Sequence, residues 1–256
     1  MELQLYSTVL ILAAGVNFII AFALLHNNMW FRTYDVYRRS RTLMALNYAI
    51  FAVGFLLHAH YQLRLSSPAM ADALTVSYFH SGGVLFGWSH ISLMRPNYLT
   101  RRVFVRDLSI LAFGLVCYWT PFVVGHYSPI VTHLSFLIFF LHATFIACTF
   151  YYIYYKVHRS IEQMPAGGSM PSWWTPDTKR TVLGRYHSFV ISCHLIVIFG
   201  LGSVALTAAF PSAIWPYIVL SLSGIAVFSY IFYSIVEYGN VIDSATSAAE
   251  DVEKSK

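Results

Sequence analysis

The sequence predicts an all-α protein, a polytopic membrane protein whose chain forms a bundle of seven transmembrane helices. Hydrophobic residues make up 57% of the 256 residues and charged residues only 11%, which is too little charge to cover a soluble domain of this size. Seven apolar stretches reach the roughly 17–25 residues that a membrane-spanning helix needs. The basic residues are concentrated in alternate loops between these stretches. All three observations indicate a multi-pass membrane protein.

The predicted transmembrane domain covers residues 1–237. Residues 238–256 form a short polar and acidic tail, which either extends the last helix by a few turns or is disordered. The seven predicted spans are Tyr6–Leu25, Leu43–Tyr61, Leu74–Met94, Leu108–Val124, Ile130–Tyr155, Phe189–Phe210 and Ile214–Glu237.

The loop charges predict how the chain crosses the membrane. The first, third and fifth loops carry 13 Lys and Arg residues, whereas the other three loops carry only Arg64. Because basic loops stay on the cytoplasmic side, the N-terminus is predicted to lie outside and the C-terminus in the cytoplasm. The 13 residues are Arg32, Arg38, Arg39, Arg41, Arg95, Arg101, Arg102, Arg106, Lys156, Arg159, Lys179, Arg180 and Arg185.

Composition also limits the function classes. No Asp, Glu, Lys or Arg lies in the core of any predicted span, which argues against a carboxylate-coupled pump or transporter. The same absence leaves no buried lysine for a retinal Schiff base and so excludes a retinal protein. No nucleic-acid-binding motif is visible, and the formal net charge of +5 is assigned to contacts with anionic lipid headgroups. The lipid bilayer is therefore the first expected partner.

Small and polar residues predict how the helices pack. At about 100° per residue, His80, Gly83, Gly87 and His90 fall on one face of the third span. Gly83 and Gly87 form a GxxxG pair, which lets a neighbouring helix approach closely. This face is therefore expected to pack against other helices.

Two asparagines are also assigned to packing. Asn17 lies in the first predicted span and Asn47 in the second. We expect their amides to cross-link these two helices, because lipid offers no hydrogen-bond partner.

The histidines are the candidates for a ligand or metal site. With the predicted topology, His58, His80 and His133 fall near the outer side of three different helices. They are expected to line one cavity that binds a small ligand or a metal ion, because imidazole suits transition metals and haem iron. Taken singly, each histidine is better explained by a hydrogen bond between helices.

A second arrangement uses the histidines that lie deeper in the predicted spans. His90 paired with His142 or with His194 would hold haem across helices. The sequence leaves the cofactor open, with haem and a transition metal as the two candidates.

Part of the chain resembles a known family. The basic loop Tyr37–Thr42 (YRRSRT), the span LMALNYAIFAVGFLLH after it, and Tyr78–Arg102 (YFHSGGVLFGWSHISLMRPNYLTRR) resemble the polytopic sensor regions of bacterial membrane-bound AraC-type regulators. In those regulators the transmembrane helices precede a cytoplasmic helix-turn-helix domain, and these 256 residues hold no such DNA-binding domain. The resemblance therefore implies a stand-alone sensor-like module of a bacterial inner membrane that signals through a partner protein.

Three function classes remain open. The leading one is a non-enzymatic sensory or signalling module that binds a small ligand in the outer half of the bundle. It would signal through the basic cytoplasmic loops to a cytoplasmic or membrane partner protein. The alternatives are a haem- or metal-binding membrane redox protein and a facilitative carrier or channel. No motif assigns catalytic residues.

Overall fold

The structure is a computed structural model that describes residues 2–26, 34–124, 128–164, 175–210 and 213–254, without the side chains of 2–3, 129, 131–133, 207–208 and 240–254. The described residues are almost entirely helical and contain no strand. Their helices are α1 (Glu2–His26), α2 (Asp35–Tyr61), α3 (Leu63–Ser66), α4 (Pro68–Met94), α5 (Arg101–Val123), α6 (Pro129–Gln163), α7 (Pro176–Ala209) and α8 (Trp215–Lys254).

Six of these helices are long and apolar enough to cross a membrane, so the chain is an all-α, multi-pass membrane protein. Each holds an apolar window bounded by polar residues, as a span between two aqueous surfaces requires. The third predicted span, on α4, is not among them. The six segments are Gln4–His26, Asp35–Tyr61, Arg101–Val123, Leu134–Gln163, Pro176–Leu206 and Trp215–Gly239.

Helix α4 is the central element of the bundle. Of its 27 residues 20 are buried, and it packs against α2, α5, α6 and α7. It begins at Pro68, whose fixed φ suits the first turn of a helix. It ends at Met94, because Pro96 disfavours helical dihedrals at Arg95 (φ −136°, ψ 92°). Its serines, threonine and histidines lower its hydropathy, and Thr75, His80 and Ser89 hydrogen-bond to other helices.

Several helices extend beyond the predicted spans. Helix α6 continues to Gln163, and α7 begins at Pro176, well before the predicted start at Phe189. The hydropathy pattern marks where a helix leaves the apolar layer, whereas local capping decides where it ends. The Thr175 hydroxyl accepts the backbone N–H of Thr178 and so caps α7.

The predicted loop between the fifth and sixth spans is therefore largely helical. Lys179 Nζ donates to the carbonyl oxygens of Glu162 (2.6 Å) and Met164 (2.7 Å), which joins the start of α7 to the end of α6. Residues 165–174 of this loop lie outside the described residues. The predicted tail is helical to Lys254, as the first of its two alternatives expected.

Tyrosine hydroxyls attach α8 to the rest of the bundle. Tyr48 Oη donates to the carbonyl of Phe228 (2.7 Å), and Tyr238 Oη donates to that of Leu93 (2.8 Å). Both donors are buried, and a buried hydroxyl in an apolar layer needs a protein acceptor. These bonds fix α8 against α2 at one level and against α4 at another.

The two glycines of the predicted packing face have different surroundings. A Cβ atom placed on Gly87 would lie 2.5 Å from Ile146 Cγ2 of α6, whereas one placed on Gly83 would meet nothing within 4 Å. Gly83 instead borders an apolar cavity of about 50 Å³ between α2, α4, α6 and α7. Gly82, which was not predicted, meets the ring of Phe51 at 2.5 Å. Close approach therefore occurs at Gly82 and Gly87.

The predicted cross-link between Asn17 and Asn47 is wrong for the described residues. Asn17 Nδ2 donates to the carbonyl of Ala13 in its own helix at 2.8 Å. Asn47 Nδ2 lies 3.9 Å from the Met44 sulfur, also in its own helix. Both asparagines are buried, and each side-chain amide contacts a group about one turn back in its own helix.

Gly87→Ala should destabilise the protein by about 1–3 kcal/mol, because the added methyl overpacks the contact with Ile146. Gly83→Ala is the matched control, and it should be neutral or stabilising by up to about 1 kcal/mol, since its methyl enters open space in a helix. The measurement is thermal unfolding of the two variants and the wild type in one detergent. Equal melting temperatures for the two variants would contradict the close approach.

Candidate functional site

Two clusters of buried polar side chains lie along α4. The sequence places their members at separate positions of several helices, and the fold brings them together through the burial of α4. The histidine cluster consists of His80, Trp88, Arg106, Asp107, Tyr118 and His142. The ion-pair cluster consists of His58, Arg64, Asp72 and Thr75.

A row of hydrogen-bonding groups runs through the histidine cluster. Tyr118 Oη lies 2.9 Å from His80 Nδ1, and His80 Nε2 lies 2.8 Å from His142 Nδ1. His142 Nε2 is 3.5 Å from Asp107 Oδ1. The indole N–H of Trp88 donates to the other carboxylate oxygen of Asp107 at 2.8 Å. The row therefore joins α4, α5 and α6.

The two ends of this row fix the direction of its hydrogen bonds. The carboxylate of Asp107 only accepts, so His142 presents its N–H at Nε2 and a lone pair at Nδ1. His80 then donates from Nε2 to His142, and its Nδ1 accepts the hydroxyl proton of Tyr118. His80 is thereby hydrogen-bonded at both ring nitrogens, whereas His142 Nε2 has only the 3.5 Å contact with Asp107 and no hydrogen-bond partner among the described residues.

Arg106 connects the histidine cluster to the loop after α4. Its Nε donates to Asp107 Oδ1 at 2.7 Å, and its guanidinium lies 4.6 Å from the ring centre of Phe145. The Arg106 side chain is 40% exposed, whereas the side chain of Asp107 is buried. Arg106 also contacts the hydroxyl of Tyr98 in the loop, and burial raises the pKa of that phenol. Tyr98 therefore stays neutral beside Arg106 near pH 7.

The ion-pair cluster is built on a salt bridge between Arg64 of α3 and Asp72 of α4. Both side chains are almost completely buried, at 1% and 7% exposure. The guanidinium also donates to Thr75 Oγ1 at 3.2 Å and lies 3.8 Å from the ring centre of Tyr217. His58 Nε2 is 3.2 Å from the same threonine oxygen. The cluster thus links α2, α3, α4 and α8 around one neutralised pair of charges.

A small cavity of about 30 Å³ adjoins the ion-pair cluster. Aromatic and aliphatic side chains form most of its wall, and several hydroxyls and one imidazole open into it. This combination is typical of sites for small organic ligands. Its polar lining residues include Tyr6, His58, Thr75, Tyr78, Tyr217 and Ser221.

The structure does not bring His58, His80 and His133 together as one described site. His58 belongs to the ion-pair cluster and His80 to the histidine cluster, with no shared hydrogen-bond partner. His133 lies on α6, but its side chain is outside the described residues. Periodicity predicts which face of a helix a residue occupies, but not the height at which neighbouring helices meet it.

The three haem candidates also occupy different surroundings. His142 belongs to the histidine cluster, and the buried His90 ring stacks on Phe86 at 3.9 Å. His194 is exposed, and its Nδ1 lies 2.7 Å from the carbonyl oxygen of Val190. Among the described residues, no group of three or more His, Cys, Asp or Glu side chains is placed to hold a metal ion.

Sequence reasoning missed the buried charges. Arg64, Asp72 and Asp107 all lie outside the predicted apolar spans, yet the fold buries them. One signal was available, because Asp72 and Asp107 lie within two residues of a predicted span start. A charge at that position enters the bundle when the helix begins earlier than the apolar stretch.

Comparison with family models, with characterised proteins and with solved structures found no match to this chain. The resemblance to AraC-type sensor regions therefore stays a prediction.

Asp72→Ala should lower the unfolding free energy by about 3–5 kcal/mol, because it leaves the buried Arg64 without its counter-charge. Asp35→Ala is the matched control: its partner Arg38 is 61% exposed, and the loss should stay within about 1 kcal/mol. Replacing Arg64 by Met and Asp72 by Leu together should recover most of the stability. Chemical unfolding in detergent measures all three variants, and equal losses for the two single variants would refute a buried pair.

Proposed function

We propose that the protein is a seven-helix membrane sensor that binds a small neutral molecule in the cavity beside the ion-pair cluster and signals through its basic loops. The observation that carries the proposal is the cavity itself, which is mostly apolar and has a few convergent hydrogen-bonding groups. The sequence predicted a ligand cavity in the outer half of the bundle lined by His58, His80 and His133, and of these only His58 is among the described residues that line this cavity.

Helix α4 is proposed as the seventh span. Its 27 residues reach about 40 Å at 1.5 Å per residue, which exceeds the thickness of the apolar layer. With seven spans, the basic loops place the N-terminus outside and the C-terminus in the cytoplasm. The cavity then opens in the outer half, because Tyr6, His58 and Tyr217 lie at the ends of α1, α2 and α8 away from the basic loops.

The side chains that line the cavity define the class of ligand. Rings of Phe55, Phe79 and Phe199 favour a flat apolar body, whereas His58 and Ser221 offer hydrogen bonds. The nearby Arg64 charge is already neutralised by Asp72, so the site provides no unpaired charge for an ionic ligand. The ligand is therefore a small, uncharged molecule with a ring and at least one hydrogen-bonding group.

Two contacts support a route from the cavity to the basic loops. The cavity is lined by α4, α7 and α8, which meet again near their opposite ends. There Tyr238 of α8 bonds to Leu93 of α4, and Arg185 of α7 pairs with Glu237 of α8 at 3.2 Å. A ligand that favours one position of α8 would shift both contacts.

The other function classes receive less support. A haem or metal redox protein needs gathered ligands, and of the described candidate histidines only His80 and His142 lie in one cluster, where they bond to each other. A facilitative carrier has no specific observation in its favour. The proposed location in a bacterial inner membrane and the use of a separate partner protein both rest on the resemblance to AraC-type sensor regions.

Reporter fusions test the proposed topology. A reporter joined after Lys256 should report the cytoplasm, and one inserted at Ser128 should report the opposite side, because only the first, third and fifth loops are basic. Signals from the same side would refute seven spans with this orientation.

Phenol, indole and benzyl alcohol test the proposed site, because each combines a ring with one hydrogen-bonding group. At least one of them should raise the melting temperature of the wild type, as binding to the native state requires. Ser221→Phe should abolish the effect by placing a ring in the cavity, whereas Ser223→Phe, exposed on the same helix, should keep it. A rise that survives in Ser221→Phe would place the binding elsewhere.

A further inference from the structure

A crevice lined by a buried arginine lies where α1 ends and α2 begins. Its volume is about 390 Å³, and it is bordered by the last turn of α1, the start of α2 and one face of α8. Phe22 and His26 of α1 line it and are exposed. Tyr37 and Arg41 of α2 also line it, and they are only 2% and 5% exposed. The crevice is therefore open at its α1 rim and holds a cation at its floor.

The position of Arg41 along α2 corresponds to the headgroup layer of a membrane. Helix α2 begins at Asp35, so Arg41 lies about 9 Å further along the axis at 1.5 Å per residue. The apolar stretch of this helix begins just beyond it, at Leu43. The headgroup layer on each side of the apolar core is about 5–8 Å thick. The guanidinium therefore lies close to the level of the lipid phosphates.

Two contacts hold Arg41 in the crevice. Its guanidinium donates to the carbonyl oxygen of Leu24 in the last turn of α1 and lies 5.6 Å from the ring centre of Tyr37. Tyr37 is itself fixed, because its hydroxyl donates to the carbonyl oxygen of Ile235 at 3.2 Å. The charge of Arg41 is thus held at one position, unlike that of an extended surface arginine.

The crevice favours an anion. Its described lining residues include an arginine and a histidine but no carboxylate. The carbonyl of Leu24 is a neutral acceptor, so its bond with Arg41 leaves the net charge of the crevice unchanged. The negative end of the α1 dipole and the positive end of the α2 dipole both lie here and offset each other. The charge of Arg41 therefore determines the sign of the potential.

An apolar wall beside the arginine favours a lipid over a free phosphate. Phe232 and Val236 are four residues apart on one face of α8, and they line the crevice together with Ala23 of α1. Both α1 and α8 are long and apolar enough to cross a membrane, so this wall lies next to the apolar layer. A free phosphate would leave these side chains uncovered, whereas an acyl chain would cover them.

We propose that this crevice binds one anionic phospholipid, with its phosphate on Arg41 and an acyl chain between α1 and α8. A guanidinium is planar and carries five N–H donors, which suits the oxygens of a phosphate. The site is separate from the cavity beside the ion-pair cluster and does not depend on the ligand proposed there. A bound lipid would stabilise the ends of α1, α2 and α8 that lie at the basic first loop.

Native mass spectrometry of the detergent-purified protein tests the site. The wild type should retain one molecule of dioleoyl phosphatidylglycerol and bind dioleoyl phosphatidylcholine, which has the same chains but no net charge, about tenfold more weakly. Arg41→Gln should weaken retention of phosphatidylglycerol by about tenfold, the loss expected for a charge-assisted hydrogen bond. Arg39→Gln is the matched control, because it removes an exposed arginine of the same helix, and it should retain the lipid as the wild type does.

A second pair of variants leaves the arginine in place and covers the case in which Arg41→Gln does not fold. Ala23→Trp should fill the crevice and abolish retention of phosphatidylglycerol. Leu25→Trp adds the same ring at the same level, about 200° around the helix on an exposed position, and should keep it.

Three results would overturn the proposal. Equal losses in Arg41→Gln and Arg39→Gln would show a diffuse attraction to the basic surface, and retention in folded Ala23→Trp would place the lipid elsewhere. Equal retention of the two lipids would show that the headgroup charge is not recognised. Displacement of phosphatidylglycerol from the wild type by inorganic phosphate would assign the crevice to a soluble anion instead.

Discussion

A polar side chain within a lipid bilayer can form hydrogen bonds only with other protein groups, and this constraint accounts for the position of α4. Its histidines, serines and threonine could not face lipid, so other helices surround it on almost every side. Apolar faces of the outer helices then remain for the lipid, as the exposed Ile19 of α1 and Val116 of α5 illustrate. The arrangement of the bundle thus follows from the polar side chains of α4.

Electrical neutrality is the second organising rule. The buried Asp72 is paired with Arg64 and the buried Asp107 with Arg106, so each carboxylate has an arginine from a nearby position in the chain. The two pairs differ in their contact with solvent. Arg64 is enclosed beneath the ring of Tyr217, whereas Arg106 lies at the edge of the bundle. The Arg64–Asp72 pair is therefore shielded from solvent, whereas the Arg106–Asp107 pair is open to it on the arginine side.

Hydropathy predicted the helical class and the positions of six membrane-spanning helices, because an apolar stretch is a sum over many residues and tolerates local exceptions. The candidate site was harder to predict. Gly83 and Gly87 are equivalent in the sequence, and only the position of Ile146 distinguishes them. His58 and His80 were grouped by depth, yet Thr75 and His142 hold them in different clusters. Contacts of this kind depend on how the helices are rotated relative to one another. The hydrophobic periodicity of one helix does not predict that rotation.

The dependence of α4 on partners from later in the chain has a consequence for biosynthesis. Tyr118 and Asp107 belong to the next membrane helix, His142 to the one after it, and Tyr238 to the last helix. When α4 leaves the ribosome, these partners have not yet been synthesised, and lipid cannot replace them. On the proposed seven-span topology, α4 would complete these contacts only after α5, α6 and α8 have followed it. The order of the chain makes its central helix one of the last to reach its final surroundings.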